Sequence, residues 1–134
     1  MHGAKQHWKN MQKVDANIVL RYMMNDSTEL SSKAKEIIEQ NIVEVPIEVL
    51  CEVIYVLTGY YKIDRQNISA KLKQFFELTQ CILTNRDVVF QGLEYFGRNN
   101  LDFVDCLLAS YVKIDKDEIF TFDEKLNKII QQVK

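Results

Sequence analysis

The stretch Asn99 to Tyr111, NNLDFVDCLLASY, sets two aspartates three residues apart at the mouth of an otherwise apolar helix. Asp102 and Asp105 fall one turn apart, so both carboxylates point to one side of the first turn, where peptide N–H groups and the helix dipole favour negative charge. Behind them Leu107, Leu108 and Tyr111 form the stripe expected to be buried. One reading is a capping arrangement, with Asp102 as N-cap and Asp105 reaching back, which satisfies orphan donors and needs no function. The other reading takes weight from three more acids, Asp15, Glu52 and Asp123, each at a comparable junction elsewhere in the chain.

Outward from that helix, strands are expected to alternate with helices. Met11 to Val14 leads through a short, polar strand into Asp15 and then an apolar helix pattern, Ile18, Val19, Tyr22, Met23. After a polar turn at Asn25 to Glu29, Ser31 or Ser32 is expected to cap a helix carrying Ala34, Ile37 and Ile38. Ile42 to Val45 reads as a second strand, and Pro46 suits the first turn of a helix, Ile47 to Leu57, that closes near Gly59. That helix is apolar almost all round, so Glu52 is either a carboxylate facing a cleft or, with Glu48 four residues earlier, part of a solvated stripe. Tyr60 to Asn67 is expected as a loop and Ile68 to Thr79 as a helix. Cys81 to Leu83 gives a third strand, and Val88 to Tyr95 another helix. Ile119 to Phe122 reads as a strong strand ending at Asp123, with Leu126, Ile129 and Ile130 on a last amphipathic helix. This alternation predicts an α/β fold, a three-layer parallel sheet with helices on both faces. In such sheets ligands bind beyond the carboxyl ends of the strands, where all the candidate acids are expected to meet.

A chain of 134 residues is expected to form a single domain over 11–134, preceded by a polar extension, 1–10. It is long enough to bury roughly two-thirds of its unfolded surface without staples. Cys51, Cys81 and Cys106 are odd in number, lack a CxxC spacing and sit in apolar segments, so reduced core cysteines are expected, with neither disulfide nor zinc. His2 and His7 lie in the polar extension, far from other ligand-type residues. With no signal-peptide pattern and no apolar run of membrane-spanning length, a cytoplasmic protein with no membrane partner is expected. The net charge of -2 argues against a generic nucleic-acid binder. Once the four candidate ligands are set aside, however, 15 acids face 17 bases, and the remaining surface is mildly basic.

Carboxylates converging without histidine, an activated serine or cysteine, or a glycine-rich phosphate loop make a poor acid–base site but a good site for a hard cation. Oxygen ligands suit Mg²⁺ or Mn²⁺, and such crowded charges repel unless a cation neutralises them. Phosphodiester hydrolysis is the chemistry that follows.

Four segments in order resemble the PIN-domain family, and specifically its VapC-type toxins. VDANIVLRYM (14–23) is similar to the family's opening Asp motif, PIEVLCEVIYVL (46–57) to its Glu helix, LDFVDCLLAS (101–110) to its paired Asp motif, and FTFDEKL (120–126) to its closing Asp motif. The resemblance implies an Mg²⁺- or Mn²⁺-dependent endoribonuclease that cleaves RNA, with Asp15, Glu52, Asp105 and Asp123 as catalytic metal ligands. It makes Asp102 an auxiliary acid or helix cap, and Asn17 and Thr121 polar residues that orient the cluster. It also implies a homodimer and, for a toxin, a VapB-like protein antitoxin as partner. Ala16 departs from the pattern, standing where a Thr or Ser hydroxyl is usual. A housekeeping RNA-processing nuclease and a non-catalytic PIN-like binding module are the alternatives. A receiver domain needs two acids after the first strand, and a haloacid-dehalogenase-like phosphatase needs an acid where Asn17 stands.

Overall fold

Two short parallel strands anchor the beginning of the chain in the computed structural model, which describes residues 11–26 and 28–134. The expected extension at 1–10, with His2 and His7, lies outside the described residues. Strand β1 (Gln12–Lys13) pairs with β2 (Val43–Glu44), Gln12 opposite Val43 and Lys13 opposite Glu44. Seven helices are described: α1 (Ala16–Met24), α2 (Glu29–Gln40), α3 (Ile47–Gly59), α4 (Arg65–Leu78), α5 (Arg86–Arg98), α6 (Phe103–Asp115) and α7 (Glu124–Val133). The chain divides into two compact units, one holding the described residues up to Val53 with Phe75–Thr84, the other Ile54–Gln74 with Asn85–Lys134.

In the first unit the expected third strand is reduced to a single parallel bridge between Glu44 and Ile82, with Ile82 N–H donating to the Val43 carbonyl at 2.8 Å and Val45 N–H to that of Ile82 at 3.0 Å. Val43 and Val45 are buried on one face and Glu44 on the other, as a strand covered on both faces requires. Glu44, also buried, keeps its charge matched by Lys13 at 3.3 Å and by the Thr84 hydroxyl. Helix α2 starts earlier than the sequence suggests. Thr28, with extended backbone, accepts from the Ser31 N–H at 3.2 Å, and Ser31, expected as a cap, is instead buried inside the first turn.

In the second unit α5, α6 and α7 pack in succession. A Cβ on Gly92 would lie 3.1 Å from Leu107 Cδ2, so the missing side chain sets how closely α5 approaches α6. The buried Ser110 hydroxyl donates to the Val88 carbonyl at 2.6 Å across the same contact. Ala109 and Val112 of α6 close on Leu126 and Ile130 of α7, the apolar stripe expected of that helix. Helix α4 begins at Arg65, inside the expected loop, because Asp64 caps it by accepting from the Asn67 N–H at 2.8 Å.

The expected strand Ile119 to Phe122 is not one. Residues 116–123 are neither helix nor strand, Phe120 and Phe122 are exposed, and Ile119 packs against the α6–α7 cluster. Strand propensity is a preference for a pleated, half-buried surface and not an intrinsic backbone state. Here local bonds compete with a ladder: the Thr121 hydroxyl accepts from Asp123 N–H, and its carbonyl from the Asn127 side chain. The described sheet is therefore two-stranded in a chain that is mostly helical. No helix among the described residues is long and apolar enough to cross a membrane.

Candidate active site

Every candidate aspartate stands at or just inside the start of a helix. In the first unit, Asp15 is the N-cap of α1, extended in backbone, with Oδ1 accepting from the Ile18 N–H at 3.1 Å. Ala16, where a hydroxyl is usual in the family, is buried, and Asn17 is exposed. Glu52 is exposed on α3, beside the half-buried Cys51, whose thiol is pushed up by burial and by the charge of Glu48.

In the second unit, Asp123 is the N-cap of α7. Its Oδ1 accepts from the Leu126 N–H at 2.9 Å, while its own N–H donates to Thr121 Oγ1 at 3.0 Å. Thr121 thus holds the backbone of Asp123. The start of α6 is built differently. Asp102 occupies the N-cap position, where the capping reading puts it, but makes no capping hydrogen bond through its side chain. Asp105, in the first turn, is half-buried. Burial raises its carboxyl above the ordinary aspartate range, and the carboxylates of Asp123 and then Asp102 push it further the same way. No ion pair involving Asp105 occurs among the described residues.

The structure thus brings Asp102 and Asp123 within electrostatic range of Asp105 in the second unit, and places Asp15 and Glu52 in the first. Among the described residues no three acidic, His or Cys side chains are gathered tightly enough to hold a metal ion. The donor chemistry nevertheless fits a hard divalent cation. All the groups are carboxylates, and the repulsion felt by Asp105 is what a cation would relieve.

The bonding of Arg65 and a groove between α4 and α5 escaped the sequence reading, whereas Cys106 is the buried thiol expected. Arg65, at the start of α4, donates from Nε to the Phe96 carbonyl at 3.0 Å and from Nη2 to the Leu101 carbonyl, with its guanidinium carbon 3.9 Å from the centre of the Phe96 ring. Its partners are 31 and 36 residues away, beyond the reach of any local pattern. The thiol of Cys106, pushed up to about 12 chiefly by burial, stays protonated and lies 3.8 Å from the same Leu101 carbonyl. An open groove of about 360 Å³ between α4 and α5 is lined by Gln66, Ser69, Lys73, Glu94, Gly97 and Arg98, but Lys73 and Arg98 are both paired with Glu94.

Helices opened by aspartates, a parallel strand pair and an Asp105 carboxyl raised by burial and by its acidic neighbours define an acidic-site protein of α/β type. The PIN domain profile matches residues 14–130, and the chain belongs to the PIN-domain family, whose members are generally nucleases that use divalent metal ions. No curated protein and no solved structure matches the chain.

Proposed function

We propose that the chain is an Mg²⁺- or Mn²⁺-dependent endoribonuclease. The observation that carries this reading is the start of α6, where Asp105 is raised by burial and by Asp123 and Asp102, without a cationic side chain as partner among the described residues. Uncompensated carboxylates of this kind destabilise the protein that carries them, which fits a site completed by a cation. Asp105 and Asp123 hold the cation on this reading, and the family motifs give Asp15 and Glu52 the same role. A bound divalent cation would supply an activated water and charge stabilisation at the scissile phosphate. The protein's part is to fix the ligands: Thr121 holds the Asp123 backbone, and the helix N-termini orient the carboxylates.

The toxin of a VapB-like antitoxin pair is the particular nuclease proposed, supported by the four ordered motifs, with a homodimer as its assembly, the cytoplasm as its location and the three-layer sheet as its complete architecture. Purified protein is expected to cleave RNA with Mn²⁺ or Mg²⁺ and to stop in excess EDTA. Undiminished cleavage in EDTA overturns the metal-dependent reading. A short reading frame directly upstream, whose product suppresses the cleavage, is the expectation for the toxin.

A further inference from the structure

Among the described residues two backbone carbonyls flanking the turn between α5 and α6, those of Phe96 and Leu101, accept no backbone N–H, and from α6 the Leu101 carbonyl meets the Cys106 thiol, at 3.8 Å. Phe96 lies in the last turn of α5, beyond Tyr95, whose carbonyl takes the capping N–H of Asn99 at 2.9 Å, so its own carbonyl is left outside the helical ladder. Leu101 immediately precedes the N-cap Asp102, so its carbonyl lies outside α6, while its side chain is buried. Buried carbonyls without donors are costly. Arg65 serves both from one guanidinium, Nε to Phe96 and Nη2 to Leu101, and stacks on the Phe96 ring, which in turn meets Phe103 edge-on at 6.1 Å. Its charge also sits favourably at the carboxyl end of α5. Asp64, which caps α4, fixes the residue from which this side chain springs.

We propose that Arg65 is a positioning residue for the acidic end of α6: its two-pronged tie from the last turn of α5 to the carbonyl before Asp102 sets where Asp102 and Asp105 stand. The catalytic consequence rests on the nuclease reading above; the structural tie does not. Arg65 touches neither carboxylate in a hydrogen bond among the described residues, so its effect runs through the backbone of Leu101.

Arg65→Lys separates the two readings, because an ammonium keeps the charge but cannot reproduce a planar fork to two carbonyls. Amide hydrogen exchange of the metal-free protein is expected to quicken about tenfold or more at the Cys106 amide, which donates to the Asp102 carbonyl at 3.0 Å, and at the amides of the turn that follows it, and to stay within about twofold in α7. In Mn²⁺-dependent RNA cleavage kcat is expected to fall about tenfold or more, with KM for RNA within about twofold. Unchanged exchange at the start of α6, exchange raised equally in α7, or a loss confined to KM overturns the proposal. Should Arg65→Lys fail to fold, Arg65→Gln, which keeps one donor arm, is read by the same measurements. If the wild-type protein cleaves no RNA with Mn²⁺, the nuclease reading falls and the exchange data alone decide the role of Arg65.

Discussion

The starts of α7 and α6 lie in the same unit, each is headed by an aspartate, and they are built on opposite principles. At α7 the Asp123 carboxylate is bonded to the helix it opens, and its backbone is held by Thr121. At α6 Asp102 stands in the capping position without capping, and Asp105 is half-buried against two other carboxylates. A helix start stabilised by its own side chain needs no further explanation. One that leaves a free carboxylate at the cap position and buries a second does, and that difference points to α6 as the place where charge is kept for another partner.

The largest expected effect is on Asp105. Asp105→Asn removes an anionic ligand and is expected to lower metal-dependent RNA cleavage by about a hundredfold or more, read as kcat at saturating Mn²⁺. The same substitution is expected to stabilise the metal-free fold at neutral pH. A carboxyl raised in the folded state contributes stability that is fully present below the unfolded aspartate pKa and is lost as pH rises through the raised folded value. The advantage of Asp105→Asn in thermal melts should therefore be seen at pH 7 and vanish below about pH 4. An equal or larger destabilisation at both pH values would return Asp105 to a structural role.

Next in size is Asp123, where cap and ligand roles can be pulled apart. Asn caps helices about as well as Asp, so Asp123→Asn is expected to keep the melting temperature and lose most of the cleavage. Asp123→Ala loses both, with a stability cost of about 1 kcal/mol, or a fall of about 4 °C in Tm for a domain of this size. If Asp123→Asn retains full activity, Asp123 is a cap only. Asp15, bonded to Ile18 N–H in the same manner, is expected to follow the same pattern.

Much of this was legible in the sequence. The apolar spacing of Leu126, Ile129 and Ile130 placed α7, and the short run Ile42 to Val45 placed the second strand, because a buried stripe or a buried run writes itself into a short window. Helix starts were less legible: Thr28 won over Ser31 because Ser31 is needed inside, and Asp64 turned an expected loop into the first turn of α4. Ile119 to Phe122 misled because strand-forming residues do not make a strand without a ladder, and Thr121 and Asn127 bond locally instead. Arg65 was invisible, since its meaning lies in two carbonyls far along the chain. The acids themselves were found by type and position, but which of them cap and which crowd depended on side-chain directions that no spacing encodes.

The smallest expected effect falls on Asp102, and it tests the comparison most directly. A side chain that makes no capping bond has little stability to lose, so Asp102→Ala is expected to change the melting temperature by less than about 2 °C, below the shift expected of Asp15→Ala or Asp123→Ala. Its charge still raises Asp105, so removing it is expected to lower the Asp105 carboxyl pKa, followed by NMR titration of the side-chain carboxyl carbon in metal-free protein. Asp123 ranks ahead of Asp102 among the charges acting on Asp105, so the shift should be smaller than that produced by Asp123→Asn. If Asp102→Ala instead costs as much stability as Asp123→Ala, the two helix starts are built alike, and the case for α6 as a reserved acidic end fails on its own terms.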